Sequence, residues 1–453
     1  LNKKQAVRLA VAVSEIITDI VLFAFGPKLG EFELSFISHD DRVELIIHEF
    51  GEPFDPERHQ YNPERAKTKG FFNGAGFELV RNLVDDFIFL NKGKEGIEFR
   101  ILQNRSDDHI TEIFNASALK VAKKMPTEIS YHVKRASSAD GEDISKLIYR
   151  TYGHSYYKDM MYYPKKIELS LEQKEKFAVI CRTQNRIPVG YFAILFSTDS
   201  NIGEAGEAVV AVKHRRKGLM KKMLQELVVI SREKGLLGLF GEANAAHPFS
   251  QRANARFGFK TTALNLAMAP PFDITGVDPT LTSQPVSSVF EYLPLIKEDF
   301  VEAYIPAEYN SIITETYQNL GIRLITKEVH EDTFKSKTDF DIQIHYLSKF
   351  AIIVVKEFGP YFLDYLQQSM KDLKEQEMNT IYIDLPIHEP ETMLLVEDLR
   401  RLKFLYGGIM PKYHSEQDYL RMQRTYCLMD MNLIKTYSPL SHRIKGLLVK
   451  ELE

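Results

Sequence analysis

The sequence predicts a mixed α+β chain of several domains, and three observations lead there. The chain has 453 residues, which at roughly 150 residues per domain suggests about three. From residue 127 onward, strand-like and helix-like segments alternate. One strand–helix–strand–helix–strand order then occurs twice, at an offset of about 143 residues.

Composition narrows the class. At 44% hydrophobic and 26% charged residues, the chain is an ordinary globular protein rather than a disordered or fibrous one. A net charge of −4 provides no global basic field, so nucleic acid is not an expected partner. The two cysteines, Cys181 and Cys427, lie in different regions and make no disulfide framework. No apolar run approaches the roughly 20 residues that span a bilayer, and no secretory signal opens the chain. A cytoplasmic protein without membrane contact is expected. The chain begins at Leu1 without Met, and a missing N-terminal strand or helix is expected before it.

The elements follow in order. Val7, Ala10, Val11, Ser14, Ile17 and Val21 fall near helical spacing and predict a helix over 5–25, stopped by Gly26-Pro27. Strands are expected at 31–37 and 43–48. A loop rich in Pro, Gly and charge follows at 49–74, then a helix at 77–84 and strands at 87–90 and 96–102. These complete a first domain at 1–104, with a polar connector at 105–126. In the next domain, 127–272, strands are expected at 129–134, 177–183, 189–197, 207–213 and 236–243, with another from Phe259. Helices are expected at 141–152, 218–234 and 248–256. The Pro-rich stretch 270–285 marks a boundary, and a third domain occupies 273–453.

This third domain repeats the second. Val209-Val210-Ala211-Val212-Lys213 corresponds to Ile352-Ile353-Val354-Val355-Lys356, and Leu237-Gly238-Leu239-Phe240-Gly241 to Thr380-Ile381-Tyr382-Ile383-Asp384. A Pro-opened helix follows in both, at Pro248 and Pro390, and a Phe-led strand at Phe259 and Phe404.

Near the N-terminus, three clusters carry chemistry. Glu15 and Asp19 form an i,i+4 carboxylate pair suited to a divalent cation or a water. Glu49-Phe50-Gly51-Glu52-Pro53-Phe54-Asp55-Pro56 leaves a strand. Gly74-Ala75-Gly76-Phe77-Glu78-Leu79 opens a helix, where free N–H groups suit phosphate. Over residues 1 to about 103 this ordered set resembles the anti-sigma-factor serine kinases of the histidine-kinase-like ATPase fold. The resemblance implies an α/β sandwich that binds ATP or ADP with Mg through Glu15, Asp19, Glu49, Gly51, Gly74 and Gly76. Asp19 would be the metal ligand and Glu15 would stand at the catalytic base. The family has Asn at Asp19 and Asp at Glu49, so weak or altered nucleotide binding is expected, without serine kinase activity.

A second cluster, Val210 to Met220, leaves a strand and opens a helix. Such a turn points N–H groups and the helix dipole at an anion. Gly218 lets the backbone approach, and His214, Arg215, Arg216 and Lys217 add positive charge. Here, and at Phe257-Gly258-Phe259, the chain resembles the GNAT family of acyl-CoA N-acetyltransferases over about 127 to 270. The resemblance implies that acetyl-CoA is held by Val210, Val212, Arg215, Arg216, Lys217, Gly218, Leu219, Met220 and Asn254. Met220 replaces the family's last small residue. Asn254 stands where the family often places a Tyr acid. Glu207, His247 and Ser250 are the candidate catalytic groups: Glu207 as base through water, His247 as a group that titrates near neutral pH, Ser250 as donor to the thiolate. Glu207 alternatively reads as a solvent-facing carboxylate and His247 as a helix cap. Tyr152, Tyr156, Tyr157, Tyr162 and Tyr163 either line the acceptor site or pack. Cys181 reads as core.

In the third domain the matching loop reads Glu357-Phe358-Gly359-Pro360-Tyr361 and has lost the charge and one donor N–H. A second GNAT-like fold with a degenerate cofactor loop is expected there. It would wall the acceptor site, bind an effector or dimerise. The leading reading is an acyl-CoA-dependent N-acetyltransferase, its acceptor a protein lysine or small amine, regulated by nucleotide at the N-terminal module. The alternative is a non-catalytic regulator that binds a sigma-factor-like partner and senses acetyl-CoA or ATP.

Overall fold

The computed structural model describes residues 1–453 apart from 2, 26–29, 39–41, 55–74, 105–128, 154–155, 157, 197–199, 216, 272–282, 330–334, 336 and 453. The connector at 105–126, most of the loop at 49–74, Gly74, Arg216 and Tyr157 therefore lie outside the described residues. The chain divides into two compact units. One comprises Leu1–Tyr191 with Val209–Met220, and the other Phe192–Ala208 with Lys221–Glu453.

The first unit opens with helix α1 (Lys3–Asp19), which runs on as a π-turn over Ile20–Ala24. Strands β1 (Phe32–Ser38) and β2 (Arg42–Glu49), helix α2 (Ala75–Leu83), and strands β3 (Asp86–Asn91) and β4 (Ile97–Asn104) follow. The strands form an antiparallel sheet in the order β1-β2-β4-β3. The face of α1 that packs on this sheet is not the expected one. Leu9, Ala12, Ile16 and Ile20 are buried, whereas Val7, Val11 and Val21 are exposed. The helix carries two apolar stripes, and only the one set against β2 and β4 enters the core. Along β2 every second residue is buried, Val43, Leu45 and Ile47, and the same parity buries Glu49.

The unit continues with β5 (Tyr131–Arg135), α3 (Gly141–Tyr152), α4 (Pro164–Glu172), β6 (Lys176–Thr183) and β7 (Pro188–Phe196), whose first residues to Tyr191 belong here. A capping box between Ser137 and Asp140 precedes α3. Pro164 opens α4, a helix absent from the expected set. A Cβ at Gly141 would lie 2.7 Å from Glu168 Cγ, so the glycine sets how closely the two helices approach.

In the second unit, β8 (Ile202–Val210, its last two residues in the first unit) leads to α5 (Leu219–Glu233), β9 (Gly238–Asn244), α6 (Phe249–Arg256), β10 (Lys260–Ala269) and β11 (Val286–Pro294). The expected 207–213 strand thus begins and ends earlier. A smaller parallel pair, β12 (Phe300–Ala303) and β13 (Arg323–Thr326), flanks α7 (Asn310–Leu320). Then come β14 (Asp339–His345), β15 (Phe350–Glu357), α8 (Phe362–Glu375), β16 (Thr380–Pro386), α9 (Pro390–Arg401), β17 (Leu405–His414), β18 (Gln417–Thr425) and α10 (Pro439–Leu452).

The repeat is visible in the strand order. One half reads β8-β9-β11-β10, the other β17-β18-β16-β15-β14, with β10 beside β17. Corresponding strands thus follow in mirrored succession, two GNAT-like folds joined back to back. β11 sits between β9 and β10, in register with both, so the first copy's strands run to Pro294. The Pro-rich stretch lies in the chain between two paired strands, β10 and β11. At the β10–β17 seam, Ala263 faces Gly408. Gly408 has φ +139°, and a Cβ there would lie 2.3 Å from Ala263 Cα.

Candidate functional site

The N-terminal clusters converge in the first unit. Parity buries Glu49 at the end of β2, and its Oε2 accepts the Gly51 N–H. Its other oxygen is buried without a hydrogen-bond partner. Burial raises the Glu49 carboxyl to about 7, and the Gly51 bond only partly offsets this. A Cβ at Gly51 would lie 2.5 Å from Ala24 Cβ, so the turn admits only glycine. Asp19 meets the start of α2: a Cβ at Gly76 would lie 2.6 Å from its Oδ2. Burial, then the Glu15 charge, raises Asp19 to about 6. The structure therefore brings together Asp19 with Gly76 and Glu49 with Gly51. Among the described residues no group of three or more His, Cys, Asp or Glu forms a metal cluster.

The same strand end is tied to α3. Arg150 Nε bonds Glu52 Oε1, and Arg150 Nη2 bonds Glu52 Oε2 at 2.7 Å. Tyr149 Oη donates to Phe50 O at 2.8 Å. Burial, with the Glu49 and Glu52 charges, pushes the Tyr149 phenol up to about 12. Three residues beyond Tyr149, Tyr152 is raised by burial, and the Arg215 charge partly offsets this. The last turn of α3 therefore touches the Glu49–Glu52 segment and feels the basic loop. Sequence reasoning missed Glu52 and Arg150, because a bidentate pair 98 residues apart leaves no periodic signal.

That loop leaves β8 at Val210 and passes through a 3-10 turn at Val212–His214. Arg215 Nε donates to Val210 O at 3.2 Å, and His214 Nδ1 lies 3.1 Å from Tyr131 Oη. Gly218 takes φ +73° with nothing within 4 Å of a Cβ position. Lys217 is exposed, Leu219 buried and Met220 half-buried. The backbone at the start of α5 is therefore positively flanked and sterically open.

In the second unit, β8 and β9 form a parallel fork. Three pairs join them, the last Glu204 to Phe240, and the ladder stops before Gly241 although both strands continue. Glu207, beyond the fork, is buried and held at φ +56°, so it is not the solvent-facing carboxylate that the sequence allowed. α6 lies over β9, where a Cβ at Gly241 would be 3.1 Å from Asn254 Nδ2. Asn254 Nδ2 donates to Glu291 Oε2 at 2.8 Å. Glu291 is the cross-strand neighbour of Gly241 and only 2% exposed. Burial raises it to about 8, offset in part by Asn254. The sequence analysis omits it because no strand is expected at 286–294.

His247 stands just before α6. Its Nδ1 is buried without a hydrogen-bond partner, and burial lowers its pKa, so a neutral imidazole is favoured. Ser250 is half-buried in the first turn of α6. Among the tyrosines, Tyr162 is fully buried, donates to Gly153 O at 2.8 Å and packs, while Tyr152 and Tyr156 stand 5.0 Å apart. Cys181 is core, and neither cysteine is in a disulfide.

The second copy is built differently at both places. Lys335 N donates to Phe358 O at 2.7 Å, and a Cβ at Gly359 would lie 2.1 Å from the Lys337 carbonyl carbon. The chain itself thus covers the loop before α8. At the fork, five pairs join β15 to β16 and reach Asp384.

Comparisons with known proteins find two families along the chain. The histidine kinase-like ATPase domain model matches residues 1–101, and the acetyltransferase (GNAT) family model matches 141–259. The serine-protein kinase RsbW of Bacillus velezensis is 30% identical over 114 residues, which cover 24% of this chain and 71% of that protein. The chain belongs to the RsbW family. RsbW of Oceanobacillus iheyensis is 37% identical over 84 residues, 17% of this chain, and the chain spans only about half (53%) of that relative. The N-terminal module is the RsbW-like part, and a GNAT-family segment follows it. Solved structures similar to the chain include the ribosomal-protein-S18-alanine N-acetyltransferase of Escherichia coli, with TM-score 0.30 and 14% identity over 37% of this chain and 96% of that one. Another is yncA of Salmonella typhimurium, a putative acetyltransferase with its cofactor acetyl-CoA, with TM-score 0.31 and 17% identity over 37% of this chain and 96% of that one. Among the described residues no helix is long and apolar enough to cross a membrane.

Proposed function

We propose that the chain is an acyl-CoA-dependent N-acetyltransferase whose RsbW-like module regulates it through nucleotide. The observation that carries the reading is Gly218, a left-handed glycine with open space above it at the helix start of a GNAT-family segment. Acetyl-CoA would lay its pyrophosphate on the amides of this loop, flanked by Arg215 and Lys217. An acceptor amine, on a protein lysine or a small molecule, loses its proton to a base and attacks the thioester carbonyl. The C–N bond forms, the C–S bond breaks, and the thiolate leaves with its electron pair and takes a proton. Glu207 and the neutral His247 are the candidate bases, and Ser250 is the candidate donor to the thiolate. Calorimetric titration with acetyl-CoA tests the reading: micromolar binding is expected, lost in Gly218→Glu. Failure of the wild-type chain to bind would overturn it.

The regulatory half of the proposal rests on α3. The unpartnered Glu49 oxygen offers an acceptor to a nucleotide base, Gly51 and Gly76 clear space, and Asp19 offers a Mg ligand. Bound Mg would offset the crowded charge of Glu15 and Asp19. Nucleotide at Glu49 would shift the Glu52–Arg150 pair and with it the last turn of α3. Such control requires a nucleotide affinity that differs between two states. ADP is expected to change the acetyl-transfer rate of the wild-type chain but not of Arg150→Ala. An equal response in both would break this link.

The second reading, a non-catalytic regulator binding a sigma-factor-like partner, is favoured by Asn254 in place of a Tyr acid. Acetyl-CoA binding without thiol release, together with capture of a sigma-factor-like protein, would support it. Serine kinase activity, the third, would show as a phosphorylated partner only when Glu15 is intact.

A further inference from the structure

The pair Glu291–Asn254 is not accounted for by the GNAT resemblance, which marks position 254 but not 291. Gly241 is the first residue of β9 past the end of the β8–β9 ladder. Its lack of a side chain lets the Asn254 amide approach the sheet there. Glu291, next to Gly241 on β11, accepts the Asn254 N–H at 2.8 Å. A carboxyl that is 2% exposed, at the mouth of a fork, is costly to keep unless its bond has a use. The residues facing it are Gly241 from β9, Thr261 from β10 and Asn254 from α6, none of them titratable.

Resting on the acetyltransferase reading, we propose that Glu291 is a positioning residue of acyl transfer: it fixes the Asn254 amide over the fork, so that the remaining Asn254 N–H is offered to the departing thioester sulfur. Asn254 cannot donate a proton outright. It stabilises the thiolate by a hydrogen bond, while the C–S electron pair leaves on sulfur and the thiolate takes its proton from the candidate donor Ser250, which the proton released by the amine replenishes through solvent. A carboxylate accepting one amide N–H polarises the group and strengthens the other N–H as donor. The raised pKa of Glu291 means that this assistance changes with pH in the range near 8.

The test uses the full chain and two readouts: calorimetric binding of acetyl-CoA, and thiol release from acetyl-CoA with water as acceptor, measured from pH 6 to 10. Binding also reports folding. Glu291→Ala and Asn254→Ala are expected to bind acetyl-CoA within about threefold of wild type and to release thiol at least tenfold more slowly. The double variant is expected to be no slower than either single one. Glu291→Gln, which keeps an acceptor for Asn254, should retain most of the rate at pH 7 and lose the inflection near pH 8. A wild-type rate and pH profile in Glu291→Ala, with wild-type acetyl-CoA binding intact, would overturn this proposal alone. Absence of binding by the wild-type chain would overturn the acetyltransferase reading and this proposal with it.

Discussion

The two GNAT-like copies differ most at one register position. In the first, Gly241 faces Glu291 across β9 and β11, and the β8–β9 ladder has already stopped. In the second, Asp384 faces Arg421 across β16 and β18, and the β15–β16 ladder still runs. Arg421 Nε and Nη2 each bond Asp384 at 2.7 Å, and His414 Nε2 adds a third bond at 2.7 Å. Burial pushes Asp384 up, but the Arg421 charge and the Arg421 and His414 hydrogen bonds hold it down at about 2. The helix above it offers the buried, apolar Val396 and Leu399 in the stretch that matches Asn254. One copy leaves its fork open beside a carboxyl and an amide. The other closes the same place with a buried ion cluster of Asp384, Arg421 and His414. A repeated fold can thus keep its strand order while its polar centre changes from an open site to a structural one.

The largest expected effect comes from breaking the closed copy. Arg421→Met leaves Asp384 buried without its main counter-charge, and removal of one partner of a buried pair costs about 3–5 kcal/mol. Denaturant unfolding should show that loss. Asp384→Leu combined with Arg421→Met should recover a large part of it, since two apolar side chains need no partners. A single variant as stable as wild type would mean that the cluster is not holding this copy together.

Next in size is the seam between the copies. Gly408→Ala places a methyl group 2.3 Å from Ala263 Cα at φ +139°, so both packing and backbone conformation oppose it. A loss of about 2–3 kcal/mol is expected, within the range for overpacking plus backbone strain. Separate melting of two transitions in this variant would show that β10 against β17 makes the copies cooperate.

Much of this comparison was legible in the sequence, and its limits have physical causes. The repeat showed itself because apolar strand runs and Pro-opened helices recur at a constant spacing. Gly218 stood out because a glycine between a strand and a helix has a conformational reason. The buried stripe of α1 did not, since Val7 and Leu9 are equally apolar and only the sheet chooses between them. β11 was hidden by the Pro-rich stretch before it, and Glu291 went with it. Within Val286–Pro294, Glu291 is the lone carboxylate in an otherwise apolar and hydroxyl run, which is the one signal the sequence carries for it. The ion cluster was invisible because Asp384, His414 and Arg421 meet only through strand pairing.

The smallest effect bears on the open copy and tests whether its carboxyl is held against its preference. Glu291 is raised from 4.5 to about 8 in the folded chain, so between these values the folded state binds the extra proton. Stability from this group is therefore full below about pH 4.5 and is lost as pH rises through about 8. Glu291→Gln removes the titration and keeps the acceptor for Asn254. Between pH 7 and pH 9 the wild-type chain should lose about 1 kcal/mol relative to the variant, from about 1.4 kcal/mol per pKa unit. Paired urea unfolding curves at the two pH values measure the gap directly. Parallel pH dependence in the two proteins would mean that Glu291 ionises as easily inside the fold as outside it. The contrast between a closed copy and an open, proton-holding one would then rest on geometry alone.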